Sequence, residues 1–220
     1  MPSANPTNVT MKEIVISHAV SGQNMRPELD RFAEVIGLSA AAPSRYSVLL
    51  TLELYGSTNS GRMNPAKVVH EISALEGLRP SSQMKPPTEF RGPLLRGLWH
   101  KHYLQDGVPS MAQNLRRGLQ RNGLPLFEQR VREAEEAGEE RFMTKADVAA
   151  IANDAVHGNW LRLAVAGELT GEWIIYAQHM GANYYLCIGG HDSGDEVIRE
   201  SIESICCHEF PFLTDLLTPR

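Results

Sequence analysis

Two histidines separated by a single residue, His100 and His102, have the type and spacing that could do chemistry. An imidazole titrates near neutral pH, so it can act as a general acid or base, and it is also a common metal ligand. In an extended segment, residues i and i+2 point to one face, so both rings could reach one bound group while Lys101 points to the opposite face. The pair therefore predicts a site for a phosphate or for a metal ion.

Aromatic and cationic side chains lie close to this pair in the sequence. Rings that flank the histidines could stack on nucleic-acid bases, and nearby guanidinium groups could bind phosphates. The whole chain carries a formal net charge of −5, so this basic cluster is a local exception. The predicted substrate-binding residues are Trp99, Tyr103, Arg96, Arg116 and Arg117, and RNA is the candidate ligand.

A third histidine, His191, is predicted to meet a carboxylate in a C-terminal β-hairpin. Apolar and aromatic residues fill two short runs, 172–179 and 184–188, and glycine and asparagine between them favour a tight turn. If the turn is centred on Gly181 and the alanine after it, the strand register places His191 directly opposite Glu172. Their Cβ atoms would then be about 4.5–5.5 Å apart.

Together these residues define one hypothesis, a small hydrolase that cleaves phosphodiester bonds, with RNA as its substrate. Histidines would transfer protons without a metal, and a lysine would stabilise the developing negative charge. Such a mechanism requires every member to reach one bound phosphate. The predicted catalytic residues are His100, His102, Lys101, His191 and Glu172.

A non-catalytic protein-binding or inhibitory module is the hypothesis that the sequence slightly favours. No phosphate-binding loop, nucleophile elbow or zinc-protease motif occurs in the chain. An acidic stretch at 133–140 could dock on a basic partner, and a proline-rich segment at 79–97 could be buried in an interface. This hypothesis predicts either a protein partner or self-association.

A metal-dependent enzyme is the third hypothesis. His100 and His102 would supply two ligands, but a metal site needs at least one more, and no nearby residue has a diagnostic spacing. The adjacent Cys206 and Cys207 do not form a ligand pair, because neighbouring residues on a helix point about 100° apart. The sequence therefore assigns no metal ligand and no cofactor.

Composition excludes several broad classes of protein. With a net charge of −5 and 21% charged residues, the chain has no overall basic surface for general DNA binding. Its apolar runs are shorter than the ~20 residues that a membrane span needs. The three cysteines, of which two are adjacent, are a poor disulfide framework and predict a reducing, cytoplasmic environment.

The order of helix and strand patterns predicts an α+β fold, with a small, mainly antiparallel sheet packed against several helices. A strand is expected within 11–18. The segment 46–55 is ambiguous: alternation in its tail favours a strand, although a helix is possible. The chain ends in the β-hairpin and in a helix that a Ser193–Glu196 capping box would start. Further helices are predicted at 26–36, 64–76, 109–121, 124–137 and 144–166.

The same pattern predicts a simple domain organisation. Residues 1–10 are polar and read as a flexible tail. Residues 11–220 are expected to form a single α+β domain, with a candidate subdomain break within the irregular, proline-rich segment 79–97.

Overall fold

The computed structural model describes residues 16–17, 21–80, 82–105, 107–138, 143–190 and 193–218. The tail predicted at 1–10 and most of the strand predicted within 11–18 lie outside these residues. The described residues combine helices with one four-stranded antiparallel sheet, which confirms the predicted α+β class.

The strands of the sheet follow one another in sequence order, and each neighbouring pair is antiparallel. They are β1 (Thr88–Glu89), β2 (Leu98–Tyr103), β3 (Glu172–His179) and β4 (Ala182–Gly189). β3 lies between β2 and β4 and is apolar on both faces, which is typical of an interior strand. Both faces of the sheet are accordingly covered.

Helices from the N-terminal part of the chain cover the first face. We call it the tyrosine face, because the buried side chains of Tyr103, Tyr176 and Tyr185 belong to its apolar cluster. The helices are α1 (Arg26–Val35), α2 (Leu38–Ala41), α3 (Val48–Asn59) and α4 (Pro65–Leu75). α1 and α4 match the predicted helices, and Asn64 caps α4 by accepting the Ala66 amide hydrogen.

α3 shows that the strand favoured within 46–55 is wrong. Ser47 caps this helix, since its side-chain oxygen accepts the Leu50 amide hydrogen at 2.9 Å. The helix lies between two apolar clusters, because Leu50 and Leu54 belong to one and Leu49 to the other. A helix buried on more than one side lacks the single apolar stripe of a surface helix, so the pattern favoured a strand over the helix that was its alternative.

The segment between β2 and β3 is helical and packs around a third, smaller apolar cluster. It contains α5 (Val108–Asn122), α6 (Pro125–Ala137), α7 (Lys145–Asn153) and α8 (Asn159–Val165), with a π-helical turn (Asp154–Gly158) before α8. The long helix predicted at 144–166 is therefore present, interrupted by this turn. Neither α6 nor α7 contributes a buried residue.

Helices from the C-terminal end cover the second face of the sheet, which we call the histidine face because it carries His100 and His102. They are α9 (Asp195–Ser201), a π-helical turn (Ile202–Cys206), α10 (Cys207–Glu209) and α11 (Phe212–Leu217). The predicted capping box at Ser193 is wrong. Gly194 occupies the N-cap position of α9, and Ser193 Oγ instead accepts the Gly190 amide hydrogen at 2.8 Å.

The predicted β-hairpin is present, but its predicted register is wrong. The turn residues are Met180 and Gly181, so His179 pairs with Ala182. Both turn residues have positive φ, 50° and 79°, as a type I′ turn requires. An irregularity in the middle of the ladder then shifts the register by one residue toward the open end. The last recorded pair toward that open end is Trp173 with Gly189.

The outer edge of β4 is closed by α3 and by the residues that precede it. Tyr46 forms a parallel bridge with Tyr185, and the residues on either side of Tyr46 hydrogen-bond to the Tyr185 backbone. Further along the strand, the Glu53 carboxylate accepts the Ile188 amide hydrogen at 2.8 Å. Backbone groups at this edge are thus satisfied within the chain.

Candidate functional site

The sheet separates the predicted catalytic residues onto its two faces. Residues paired across an antiparallel ladder share a face, and successive residues along a strand alternate between faces. His102 pairs with Trp173, whereas Tyr103 pairs with Glu172. The histidines therefore lie on one face, and Lys101 and Glu172 lie on the other. The described members of the predicted catalytic group are thus divided between the two faces of the sheet.

The two histidines belong to an aromatic cluster with Phe90 and Trp173. Their imidazole centroids are 5.4 Å apart, so both rings share one face, as the i, i+2 spacing predicted. The His100 centroid lies 4.6 Å from that of Phe90 and 5.3 Å from that of Trp173. His102 is 5% exposed, and its Nδ1 donates to the Gly171 carbonyl oxygen at 2.8 Å. These contacts make both imidazoles part of the packing on the histidine face.

Lys101 is buried on the tyrosine face and has partners there. Its Nζ donates to the Lys85 carbonyl oxygen at 2.7 Å and lies 3.5 Å from the Glu71 carboxylate. Burial lowers the pKa of Lys101, and the negative charge of Glu71 opposes that shift. This lysine therefore links β2 to α4 through its ion pair with Glu71 and does not face the histidines.

Glu172 lies at the open end of the hairpin, beside Gly190. The last recorded pair is Trp173 with Gly189, and continuing this register brings Glu172 opposite Gly190. A Cβ atom added at Gly190 would be 1.9 Å from Glu172 Oε2, so the carboxylate covers this glycine closely. His191 itself lies outside the described residues. The register that predicted a Glu172–His191 pair is therefore wrong, because the turn is centred one residue earlier.

The aromatic residues predicted to stack on bases belong to the interior of the tyrosine face. Tyr103 is 2% exposed, and Trp99 is partly buried against the same apolar cluster. Stacking on an incoming base needs an accessible ring face. Tyr103 offers none, so the predicted pair of stacking rings around the histidines is not formed.

The predicted phosphate-binding arginines are dispersed over different elements. Arg96 is exposed in the loop before β2, and Arg116 is exposed on α5. Arg117, also on α5, lies 3.5 Å from the Glu168 carboxylate, and Arg121 pairs with the same carboxylate. Glu168 therefore neutralises part of the basic cluster.

A surface that the sequence did not single out lies between α6 and α7. Phe127 and Val131 on α6 are 39% and 38% exposed, and Val148 on α7 is 53% exposed. A groove of about 130 Å³ runs between the two helices. Its apolar lining residues are Phe127, Val131, Ala134, Met143 and Ile151.

The spacing of Phe127, Val131 and Ala134 was the available signal for this surface. These residues follow the i, i+4, i+7 pattern of an apolar helical stripe. The sequence interpretation considered only the acidic stretch at 133–140, which overlaps the end of α6. A stripe of this kind is normally buried, whereas here no residue of its helix is.

Within the described residues, no group of three or more His, Cys, Asp or Glu side chains could hold a metal ion. None of the described helices is long and apolar enough to cross a lipid bilayer. Cys187, Cys206 and Cys207 are free thiols.

No protein-family model, curated protein or solved structure matches this chain, so its function has to be inferred from its own geometry.

Proposed function

We propose that this protein is a protein-binding module that uses the groove between α6 and α7 as its docking surface. One observation carries the proposal: neither helix has a buried residue, although both carry apolar side chains. Short helices are marginal in water, and in proteins they gain most of their stability by packing an apolar face. Helices α6 and α7 are expected to gain that packing from a partner.

Hydrogen bonds and an ion pair hold the start of α6 in place against the residues that follow α7. At the start of α6, the Leu126 amide donates to the Asp154 carboxylate at 3.4 Å, and Arg162 pairs with the same carboxylate at 2.5 Å. The Asn159 side chain donates to the Gly123 carbonyl oxygen at 3.2 Å. Holding a docking surface in place before binding lowers the entropic cost of association.

The occupant that we propose is an amphipathic helix of another protein, with basic residues beside its apolar stripe. Such a helix can lay its apolar residues along a groove between two helices. Helices α6 and α7 together carry five acidic and three basic residues, so Lys or Arg beside the stripe would complement the acidic excess. A second copy of this chain would instead bring that excess against itself.

The two enzymatic hypotheses have less support from the geometry. A phosphodiester hydrolase needs the histidines and Lys101 at one phosphate, and they lie on opposite faces of the sheet. A His-x-His metal enzyme needs a third ligand, and the described residues contain no such group. RNA binding and a cytoplasmic location stay predictions from the sequence.

Site-specific photo-crosslinking in cells tests the proposal. A photoreactive amino acid replaces Met143 beside the groove and, as a matched control, Val165, which is 87% exposed on α8. We expect the position beside the groove, and not the control, to crosslink to a basic, helix-forming segment of another protein, as mapped by mass spectrometry. Adding Val131→Glu should abolish that crosslink by placing a charge in the groove. Crosslinks only to a second copy of this chain, or equal crosslinking from both positions, would overturn the proposal.

A further inference from the structure

Three cationic side chains surround one carboxylate where the last turns of α5 pack against the chain that leads into β3. Arg117 Nη2 lies 3.5 Å from Glu168 Oε2, and Arg121 Nη1 pairs with the same oxygen. Lys85 lies beside them, because its amide donates to the Leu169 carbonyl oxygen at 3.1 Å. We call Lys85, Arg117, Arg121 and Glu168 the cationic cluster. It shares no residue with the groove between α6 and α7.

The backbone directs the side chains of Lys85 and Glu168 to the same side. Met84 and Leu169 form a parallel bridge, and both are buried in the third apolar cluster. Successive side chains of an extended segment alternate in direction. Lys85 follows Met84 and Glu168 precedes Leu169, so both charged side chains point away from the apolar cluster. They are close enough for the charge of Glu168 to act on the Lys85 ammonium.

Hydrogen bonds hold the helix that carries the arginines against this segment. Asn114 on α5 is 1% exposed, and its side-chain amide donates to the Thr170 carbonyl oxygen at 2.8 Å and accepts the Thr170 amide hydrogen at 2.9 Å. Arg117 and Arg121 follow Asn114 by one and two turns, so all three lie on one face of the helix. The positions of the cations are therefore set before any ligand binds, which lowers the entropic cost of binding.

The cationic cluster is not neutral. Three positive charges face one negative charge, and no carboxylate among the described residues forms an ion pair with Lys85. Arg117 Nε is buried without a hydrogen-bond partner in the described part of the chain, which is unusual for a buried donor. Burial lowers the pKa of Lys85, and the positive charge of Arg117 lowers it further, against the opposing effect of Glu168. An anion at this position would offset the repulsion between the cations.

The size of the charge excess indicates the kind of anion. The excess amounts to two positive charges, and a phosphomonoester at about pH 8 carries close to two negative charges. A phosphodiester, as in the backbone of RNA, carries only one. Guanidinium groups match the oxygen atoms of a phosphate, to which they can donate two parallel hydrogen bonds. Solvent reaches the site, since the side chains of Arg117 and Arg121 are 37% and 52% exposed.

We propose that the cationic cluster binds a phosphomonoester group in its dianionic form. The guanidinium groups of Arg117 and Arg121 donate to the phosphate oxygens, and the Lys85 ammonium supplies the third positive charge. Glu168 holds the arginines in the unliganded protein and competes with the ligand for them. This inference goes beyond the docking function proposed for α6 and α7 and does not depend on it.

A pair of small phosphate esters tests the class of ligand. Methyl phosphate is a monoester, and dimethyl phosphate is the diester with one negative charge less. In NMR titrations at about pH 8 and low ionic strength, we expect saturable binding of methyl phosphate and at least about tenfold weaker binding of dimethyl phosphate, because one charge no longer offsets the excess. Equal affinities for the two esters, or no saturable binding of methyl phosphate, would overturn the proposal.

Two larger probes carry the same group on different molecules. Glycerol phosphate represents a phosphorylated small molecule, and a short neutral peptide with one phosphoserine represents a phosphorylated protein. We expect both to bind at least as tightly as methyl phosphate, since both present a dianionic monoester, and the tighter ligand identifies the source of the group. Failure of both to bind would contradict the proposal.

Two substitutions with opposite expected effects test the location of the site. Lys85→Gln removes one cation, and we expect about tenfold weaker binding of methyl phosphate. Glu168→Gln removes the competing carboxylate, and we expect at least about threefold tighter binding, which a residue of merely structural importance would not produce. Arg31→Gln, on the exposed side of α1, removes one positive charge elsewhere and is the matched control with unchanged affinity.

Thermal unfolding of each variant separates lost binding from lost folding. In the unaltered protein, methyl phosphate should shift the NMR signals of Lys85, Arg117 and Glu168. Weaker binding in the Glu168 variant, an equal loss for Lys85→Gln and Arg31→Gln, or shifts confined to other parts of the chain would contradict the assignment.

Discussion

Glu172 lies directly across the β2–β3 ladder from Tyr103, and both residues lie on the opposite side of the sheet from His100 and His102. This relationship separates a carboxylate from the imidazoles that the sequence had grouped with it. It also places that carboxylate beside the phenol of Tyr103, a residue that is 2% exposed. The two faces of the sheet can consequently be tested by independent experiments.

Glu53 should make the stability of the protein depend on pH. Burial raises the pKa of Glu53 from its ordinary value of 4.5 to about 7, although the hydrogen bond from the Ile188 amide opposes the shift. The folded state then holds this proton more tightly than the unfolded chain, so the contribution of Glu53 to stability falls as pH rises from about 4.5 to about 7. We expect Glu53→Gln to remove this fall and to stabilise the protein above that range by about 1–3 kcal/mol.

Urea denaturation of the original protein and of the Glu53→Gln variant, at about pH 5 and about pH 8, measures how the free energy of unfolding of each depends on pH. The titratable groups that face Glu53 from neighbouring elements are Tyr103, Cys187 and Cys206, and they keep their protons in this range because burial raises their pKa. Glu135→Gln on α6 is the exposed control. The same pH dependence in the Glu53 variant and the original protein would contradict the assignment.

Removing Lys101 alone should be far more damaging than removing it together with Glu71. Both side chains are nearly inaccessible, at 4% and 6% exposure, and Lys101→Met leaves the Glu71 carboxylate buried without its cation. We expect that substitution to cost about 3–5 kcal/mol, and the double variant Lys101→Met/Glu71→Leu to recover most of the loss. A double-mutant cycle from urea denaturation measures the coupling. Strictly additive effects would show that the two groups do not interact.

A side chain at position 171 should destabilise the protein because it would collide with the backbone, whereas one at position 56 should not. A Cβ atom at Gly171 would be 2.0 Å from the backbone oxygen of Tyr103, whereas at Gly56 in α3 it would meet nothing within 4 Å. We expect Gly171→Ala to cost about 3 kcal/mol. Gly56→Ala should instead stabilise the helix by roughly 0.5–1 kcal/mol. Thermal unfolding compares the two, and equal effects would refute the steric argument.

The apolar residues along the α6–α7 groove should contribute little to the stability of the isolated protein. Val131→Glu is expected to change the free energy of unfolding by less than about 0.5 kcal/mol, because this residue lies on a helix without buried positions. Leu163→Ala on α8 is the contrasting variant, since this residue is 1% exposed and its truncation should cost about 2–5 kcal/mol. A large loss for Val131→Glu would mean that the groove serves the internal packing of this chain.

Sequence patterns that depend only on a few neighbouring residues predicted their structural elements correctly. The Asn64 cap located the start of α4, and the i, i+2 rule placed His100 and His102 on one face of β2. The strand favoured within 46–55 failed because α3 is packed on more than one side, so its apolar residues follow no single stripe. The hairpin register failed because the turn uses Met180 at positive φ, which a residue with a side chain rarely adopts.

The surroundings of the site depended on contacts between distant parts of the chain. His102 meets Gly171 and Tyr103 meets Glu172 only because β2 and β3 pair after the helices α5 to α8 have intervened. No local periodicity relates those strands to one another. The sequence could therefore nominate individual chemical groups, but it could not assign them to a face or to a common ligand.

The closed outer edge of β4 also limits how this protein can be recognised. The carbonyl of Asn183 accepts from Arg45, the backbone of Tyr185 is engaged beside Tyr46, and the amide of Ile188 is engaged by Glu53. An extended peptide seeking to add a strand along this edge would first have to break these contacts. A second copy of this chain would meet the same obstacle if it tried to extend the sheet beyond β4.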